Sequence, residues 1–367
     1  MQRLVLILGV ATLLASGEGL SQEQKWTHYG LRPLAMGNAF VSVADDFNAL
    51  FYNPAGLARL KEWDGEFLNP GVELSDKTKT SISKISDLAA GSSDSTTAAL
   101  DLIESEAGNN HHLGIQWTPH LIFKGFGFGI GASVEANMVF HRYPSIALDV
   151  GPRVIIPFAF AFNALEDRLS MGFAVKARLR GGINHEFSIQ DIEAFSKKDG
   201  SEGPELANFV EGGFGYGSDF GLLFTPIKTM EPTLGLSIMD IGGTPYGQKM
   251  DIGGKALGTP DAVLPSLNLG LSLKPIQTNR TYLLTVIEMH QLNQPFSFSK
   301  KLNLGLEYGL GSIIKLMAGL HQGYLTGGFQ FDVGLINLRV VTYAEELGAV
   351  AGSVQDRRYA LQLKLLL

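Results

Sequence analysis

Three adjacent pairs of titratable residues invite a chemical reading: Asp45–Asp46, His111–His112 and Glu345–Glu346. None develops into a reactive constellation. Strand neighbours point to opposite faces, so His111 and His112 make a poor joint metal site and are expected as surface histidines. No spaced series of oxygen ligands follows Asp45 and Asp46, which suit a helix N-terminus better than calcium. Glu345 and Glu346 are expected in solvent at a strand end, with a paired-carboxylate role as the alternative. The Ser-rich stretches lack a Gly-x-Ser-x-Gly elbow. The glycines of "GFGFGIG" lie inside a strand, whereas a phosphate loop sits between a strand and a helix. The reading is of a chain that is no enzyme, with no catalytic, metal or cofactor site.

The remaining charges follow a pattern. In "LSMGFAVKARLRGGI", Lys176, Arg178 and Arg180 alternate with Val175, Ala177 and Leu179. In "GFGFGIGASVEANMVF", Glu135 opposes a face made of Phe126, Phe128, Ile130 and Val134. Glu307 sits opposite Leu304 and Leu306, and Lys364 opposite Leu361, Leu363 and Leu365. Alternation with period two is the mark of a β-strand with two unlike faces. A Lys or Arg facing lipid at mid-membrane costs about 2–4 kcal/mol. In a barrel these six residues therefore face the lumen. There the cations meet water or carboxylates such as Glu135 and Glu307; a solvated wall with no ligand role is the plainer version.

About fourteen such strands can be marked, beginning near residues 64, 112, 126, 153, 168, 214, 231, 265, 281, 301, 313, 324, 335 and 357. Short connections such as "PHLIFKG", "NALED" and "KPIQTN" alternate with long ones near 75–111, 141–152, 188–213 and 241–264, the habit of outer-membrane barrels. "HQGYL" is short where a long loop is due. Helices are expected within 95–108 and 188–198. Tyr282, Tyr308, Tyr343 and Tyr359 suit interfacial girdles. A soluble sandwich shares the alternation but not the export signal or the loop alternation.

The chain has 367 residues, 44 glycines spread throughout, no cysteine and a net charge of −7. No basic stripe is present, so nucleic acid is not an expected partner. "MQRLVLILGVATLLASG" has the layout of a secretory signal peptide, with a short membrane anchor as the alternative. Later segments lack ~18 consecutive apolar residues, so a membrane-embedded form must be a β-barrel. The absence of cysteine excludes disulfides, thiolate metal sites and a lipoprotein anchor.

Between the leader and the first strand lies "DDFNALFYNPAGLARL" (Asp45 to Leu60). Asp45 or Asp46 suits the start of one short helix. Asn53 with Pro54 suits the start of a second, since proline loses nothing at the first helical position. Both helices fall below the ~12–15 residues an isolated helix needs, so they must lean on a larger body.

The stretch Gly30–Leu60 resembles the N-terminus of FadL-type outer-membrane proteins, and more closely their PorV-like relatives. The matching residues are Gly30-x-Arg32, Met36-Gly37-x-Ala39, Ala44-Asp45-Asp46 and Tyr52-Asn53-Pro54-Ala55-Gly56-Leu57. "LNLGLEYGL", "MAGLHQGYLTGGFQF", "YAEELG" and "DRRYALQL" look similar too, while the middle matches in pattern only. The resemblance implies an all-β transmembrane barrel of about 14 strands, with a signal peptide over 1–22, a lumenal hatch over 23–62 and the barrel over 63–367. It implies a gate at Asn53, Pro54, Ala55 and Gly56, and packing of the hatch by Phe47, Leu50, Phe51 and Leu57. The function implied is passive uptake of hydrophobic small molecules such as long-chain fatty acids across a bacterial outer membrane. The alternative is a PorV-like scaffold or shuttle for secreted protein partners. Expected partners are outer-membrane lipid, a hydrophobic ligand and the barrel-assembly machinery; no cofactor is implied. A terminal Leu367 departs from the aromatic residue usual at the end of such barrels.

Overall fold

The computed structural model describes residues 30–81, 101, 104–142, 145–188, 190–191, 194, 206–252, 255–334 and 336–365. The expected signal peptide lies outside the described residues, as does most of both expected loop helices. No described helix is long and apolar enough to cross a membrane, which says nothing of strands.

Fourteen antiparallel strands close into a barrel. They are β1 (Gly71–Ser75), β2 (Asn110–Trp117, resuming at His120–Phe123), β3 (Phe126–Gly129 and Gly131–Phe140), β4 (Ser145–Ala164), β5 (Leu169–Ser188), β6 (Val210–Phe224) and β7 (Thr233–Met239). The second half comprises β8 (Ser266–Gln277), β9 (Thr281–Met289), β10 (Leu302–Leu310), β11 (Ile314–His321), β12 (Tyr324–Val333), β13 (Ile336–Glu346) and β14 (Gln355–Leu365). A short leading piece, Asp64–Glu66, pairs with the second part of β2. β1 pairs with β14, from Gly71 opposite Gln362 to Ser75 opposite Arg358, which closes the ring.

The faces sort as the alternation requires. Phe173, Val175, Leu304, Leu306, Leu361 and Leu363 are exposed on the outside. Lys176, Arg178, Glu307, Arg358 and Lys364 are buried inside. An apolar outer band around a polar interior is the arrangement lipid demands.

Several boundaries differ from expectation. Residues 145–152 belong to β4, because β3 is long enough to pair with them up to Phe140 opposite Ile146. "PHLIFKG" is not a loop: His120–Phe123 continues β2, and the turn is Lys124–Gly125 alone. β3 is interrupted at Ile130. The ladder breaks at one level across three strands, at Thr118–Pro119, Ile130 and Ile156–Pro157, where two prolines lack the N–H a ladder needs. Asn69 patches the break, accepting from Thr118 N at 2.8 Å and donating to its carbonyl at 2.7 Å. The short link in "HQGYL" is a two-residue turn with positive φ at both Gln322 and Gly323, a hairpin geometry that suits strand twist.

Candidate functional site

Residues 30–60 fold inside the barrel, towards the end of the short turns. They contain α1 (Leu31–Ala35), α2 (Ala49–Tyr52) and a 3-10 turn, Pro54–Arg59. Leu34, Met36, Phe40, Phe47, Leu50, Phe51, Tyr52 and Leu57 are buried there and form one cluster with wall residues such as Ile122, Leu284 and Met317. Each such side chain contributes roughly 1.5–3 kcal/mol on burial, which supplies what helices of four and five residues cannot provide themselves.

Specific anchors hold the hatch to the wall. Arg32 forms a two-pronged pair with Glu307 on β10, with Nε and Nη2 each 2.7 Å from a carboxylate oxygen. Its Nη1 reaches Asp45 at 2.6 Å and Asp46 at 2.9 Å. Glu288 on β9 accepts from the backbone N–H groups of Phe40, Val41 and Ser42 at 2.8–2.9 Å, and from Ser42 Oγ at 2.8 Å. Three consecutive N–H groups on one carboxylate make a small anion nest. Asn53 Nδ2 donates to the carbonyls of Val41 in the hatch, Leu222 on β6 and Leu236 on β7. Its Oδ1 accepts from Ala55 N at 3.1 Å, so Asn53 caps the turn that Pro54 opens.

The wall makes room for this main chain with glycine. A methyl group on Gly172 would overlap Pro54 and Ala55, and one on Gly221 would overlap Asn53 and Pro54. Glycine is needed here for close approach of backbones.

Asp45 does not cap α2 and pairs with Arg32 instead. Asp46 does both: its Oδ1 accepts from Asn48 N at 2.8 Å just ahead of α2, whose own N-cap Asn48 makes no side-chain cap bond, while its Oδ2 meets Arg32 at 2.9 Å. Burial alone would raise the Asp46 carboxyl, but Arg32 outweighs it and holds it below the ordinary range.

The wall charges find other partners than expected. Lys176 binds Asp219 at 2.6 Å and Asp240 at 3.0 Å, and Arg178 also binds Asp240. The register explains this: Asp219 lies opposite Ala174, one inward position from Lys176. Arg180 reaches Asp149 at 3.2 Å, while Glu135 pairs with Arg153. Glu307 lies on β10, away from these cations, and is taken by the hatch and by the Tyr282 hydroxyl at 2.6 Å. Lys364 sits against Glu66, with Asp64 at 3.6 Å. Asp64, Glu66 and His120 form the cluster of metal-ligand type among the described residues, and Lys364 pairs with both of its carboxylates.

Other positions are corrected by burial. His111 and His112 are both buried, facing Glu106 at 3.3 Å and Glu73 at 3.5 Å. Glu345 and Glu346 are buried as well; Glu345 faces His321, and Glu346 accepts from Gly348 N, Ser353 N and Val354 N. Tyr282 and Tyr343 turn inward to carboxylates, so they are not girdle residues; Tyr359 is exposed on the outside. Some of these partners are close in sequence, as Glu106 is to His111, whereas Tyr343 meets Glu73 only through closure of the ring.

At the long-loop end lies a cavity of about 590 Å³, the size of a small-ligand site. Leu148, Met239, Leu264 and Phe296 line it together with Asp149, Arg180 and Asp240. Arg32 and Glu288 were not singled out by the sequence as anchors. Glu288 carried a signal, as a carboxylate on the inward side of the apolar run Thr281–Met289.

No family model matches the chain, and no curated protein matches it. Among solved structures, the toluene transporter TodX of Pseudomonas putida is similar over 94% of this chain and 98% of its own, at 14% identity and a TM-score of 0.51. The toluene transporter TbuX of Ralstonia pickettii is similar over 93% and 99%, at 12% identity and a TM-score of 0.50. Identities this low speak for the fold alone. By fold, the chain is a fourteen-stranded antiparallel β-barrel like those of TodX and TbuX.

Proposed function

We propose that the protein is an outer-membrane channel through which hydrophobic small molecules cross passively, long-chain fatty acids being the class the N-terminal resemblance suggests. The observation that carries this reading is the cavity of about 590 Å³ at the long-loop end of a barrel whose other end is filled. A ligand would bind there, then leave past the hatch or through the wall at the level where Pro119, Ile130 and Pro157 interrupt the ladder. The steps are binding and release, with no covalent chemistry. Asn53, Pro54, Ala55 and Gly56 would form the gate, and Phe47, Leu50, Phe51 and Leu57 would set its stability. The fold similarity to toluene transporters supports this choice of cargo class. The test is flux of neutral hydrophobic probes into liposomes carrying the protein, a Pro54→Ala variant and a hatch deletion. Protein-dependent flux that changes with the hatch is expected; flux equal to that of empty liposomes in all three overturns the reading.

The fastening of the hatch favours a second reading, a PorV-like scaffold that carries no cargo. Arg32–Glu307, the Glu288 nest and the Asn53 bridge together describe a plug as readily as a gate. A stoichiometric protein partner recovered from membranes, with no flux, would decide for it.

A further inference from the structure

A second cavity, of about 630 Å³, opens at the long-loop end beside the seam where the ring closes. It exists because β1 is shorter than its neighbours. The ladder from β1 to β14 stops at Ser75 opposite Arg358, and that from β1 to β2 stops at Leu74 opposite Leu113. Gln355–Arg357 and Asn110–His112 therefore run past the end of β1, whose chain turns into a helix at residue 76, and a notch is left between them. The Lys, Arg, Asp and Glu side chains described in its lining are Lys77, Arg142, Arg357, Asp76 and Asp356. Both carboxylates are engaged. Asp356 accepts from Arg358 Nε at 2.8 Å, and Asp76 lies 4.0 Å from Lys79. Lys77 and Arg142 are exposed, and no carboxylate pairs with either among the described residues. Arg357 places Nη1 on the Leu325 carbonyl at 2.7 Å, a neutral partner. Three cations thus line one notch without a carboxylate of their own.

The outer face of β14 sets the level of the notch. Leu363, Leu361 and Tyr359 are exposed there in turn, and Arg357 follows two residues on. Lys79 holds its Nζ 5.4 Å from the centre of the Tyr359 ring. An apolar band that ends in a tyrosine and then in cations marks the height where acyl chains give way to head groups. Guanidinium and ammonium groups at that height suit phosphate, to which arginine offers paired donors. We propose that the notch between β14, the end of β1 and the β2–β3 pair binds a phosphate-bearing head group of an outer-leaflet lipid. The site does not depend on the channel reading.

The experiment is native mass spectrometry of the full-length, delipidated protein in a nonionic detergent. It is titrated with a diphosphorylated glucosamine-disaccharide lipid and with the same lipid stripped of phosphate. The phosphorylated lipid is expected to be retained about tenfold more strongly. The Lys77→Gln/Arg142→Gln double variant, altered at two exposed positions, should bring that ratio close to one. Asp76→Asn, which removes a carboxylate from the same notch, should raise it. Millimolar inorganic phosphate is expected to leave the lipid in place; full displacement would show a site for free phosphate and overturn the lipid as its source. Equal retention of the two lipids, a ratio unchanged in the double variant, or one lowered by Asp76→Asn overturns the site itself.

Discussion

In the short-turn half of the lumen, thirty residues of main chain are pressed against wall glycines, and apolar side chains from Leu31 to Leu60 form the main hydrophobic cluster of the molecule. In the long-loop half, the same strands carry Asp149, Lys176, Arg178, Arg180, Asp219 and Asp240, and a cavity of about 590 Å³ remains. The wall is one closed sheet, yet its two halves solve different problems. Below, Gly172 and Gly221 give up side chains so that a foreign segment can fill the bore. Above, ion pairs make a polar wall that needs no filler. Buried charges hold both halves, but Arg32 ties the hatch to the wall, whereas Lys176 ties wall to wall.

That contrast can be broken by removing one cation from each half. Arg32→Ala leaves Glu307 buried without its guanidinium, a loss of about 3–5 kcal/mol. Hydrogen exchange should show the amides of Leu31–Leu60 losing protection while β4–β6 keep theirs. Lys176→Met leaves Asp219 buried without its cation while Asp240 keeps Arg178, at a similar cost. The thermal midpoint should fall with hatch amides still protected below it. If both variants deprotect the same amides, the two halves are one cooperative unit and the contrast is wrong.

A smaller effect sharpens the lower half. Gly221→Val forces a side chain into Asn53 and Pro54, an overpacking cost of about 1–3 kcal/mol, and should raise proteolysis within the hatch. Gly247→Val, with nothing within 4 Å of the added Cβ and no positive φ, serves as a control for the substitution without the clash. Asn53→Ala removes a buried bridge between hatch, β6 and β7, where a net hydrogen bond contributes ~1 kcal/mol. It should loosen the Pro54–Arg59 turn and leave α1 protected.

The smallest expected effect is a pH dependence. Asp46 is held below its ordinary range, so its contribution is complete above the unfolded value of about 3.9 and is lost as pH falls through the lower folded value. The stability difference between the protein and Asp46→Asn should therefore be constant from pH 7 to 5 and close below pH 4. The absence of any difference at pH 7 would show that Arg32 acts through Asp45 or Glu307 instead.

The sequence by itself determined the strands and their faces. Alternation in 169–183, 302–308 and 357–365 is a local property, because a pleated strand turns successive side chains to opposite sides. It also placed the capped turn at Asn53–Pro54, since capping involves residues two apart. The break in β3 escaped notice because Ile130 continues the alternation, and only its missing ladder partner reveals it. Tertiary structure alone decided which charges meet. Arg32 and Glu307 are 275 residues apart, and no local pattern links them. The burial of His111, His112, Glu345 and Glu346 was likewise invisible, because the lumen exists only once β1 joins β14. The fold follows from periodicity within each strand. Partners such as Glu307 for Arg32 and Tyr343 for Glu73 follow from the closed ring, which brings together residues with no local relation in the chain.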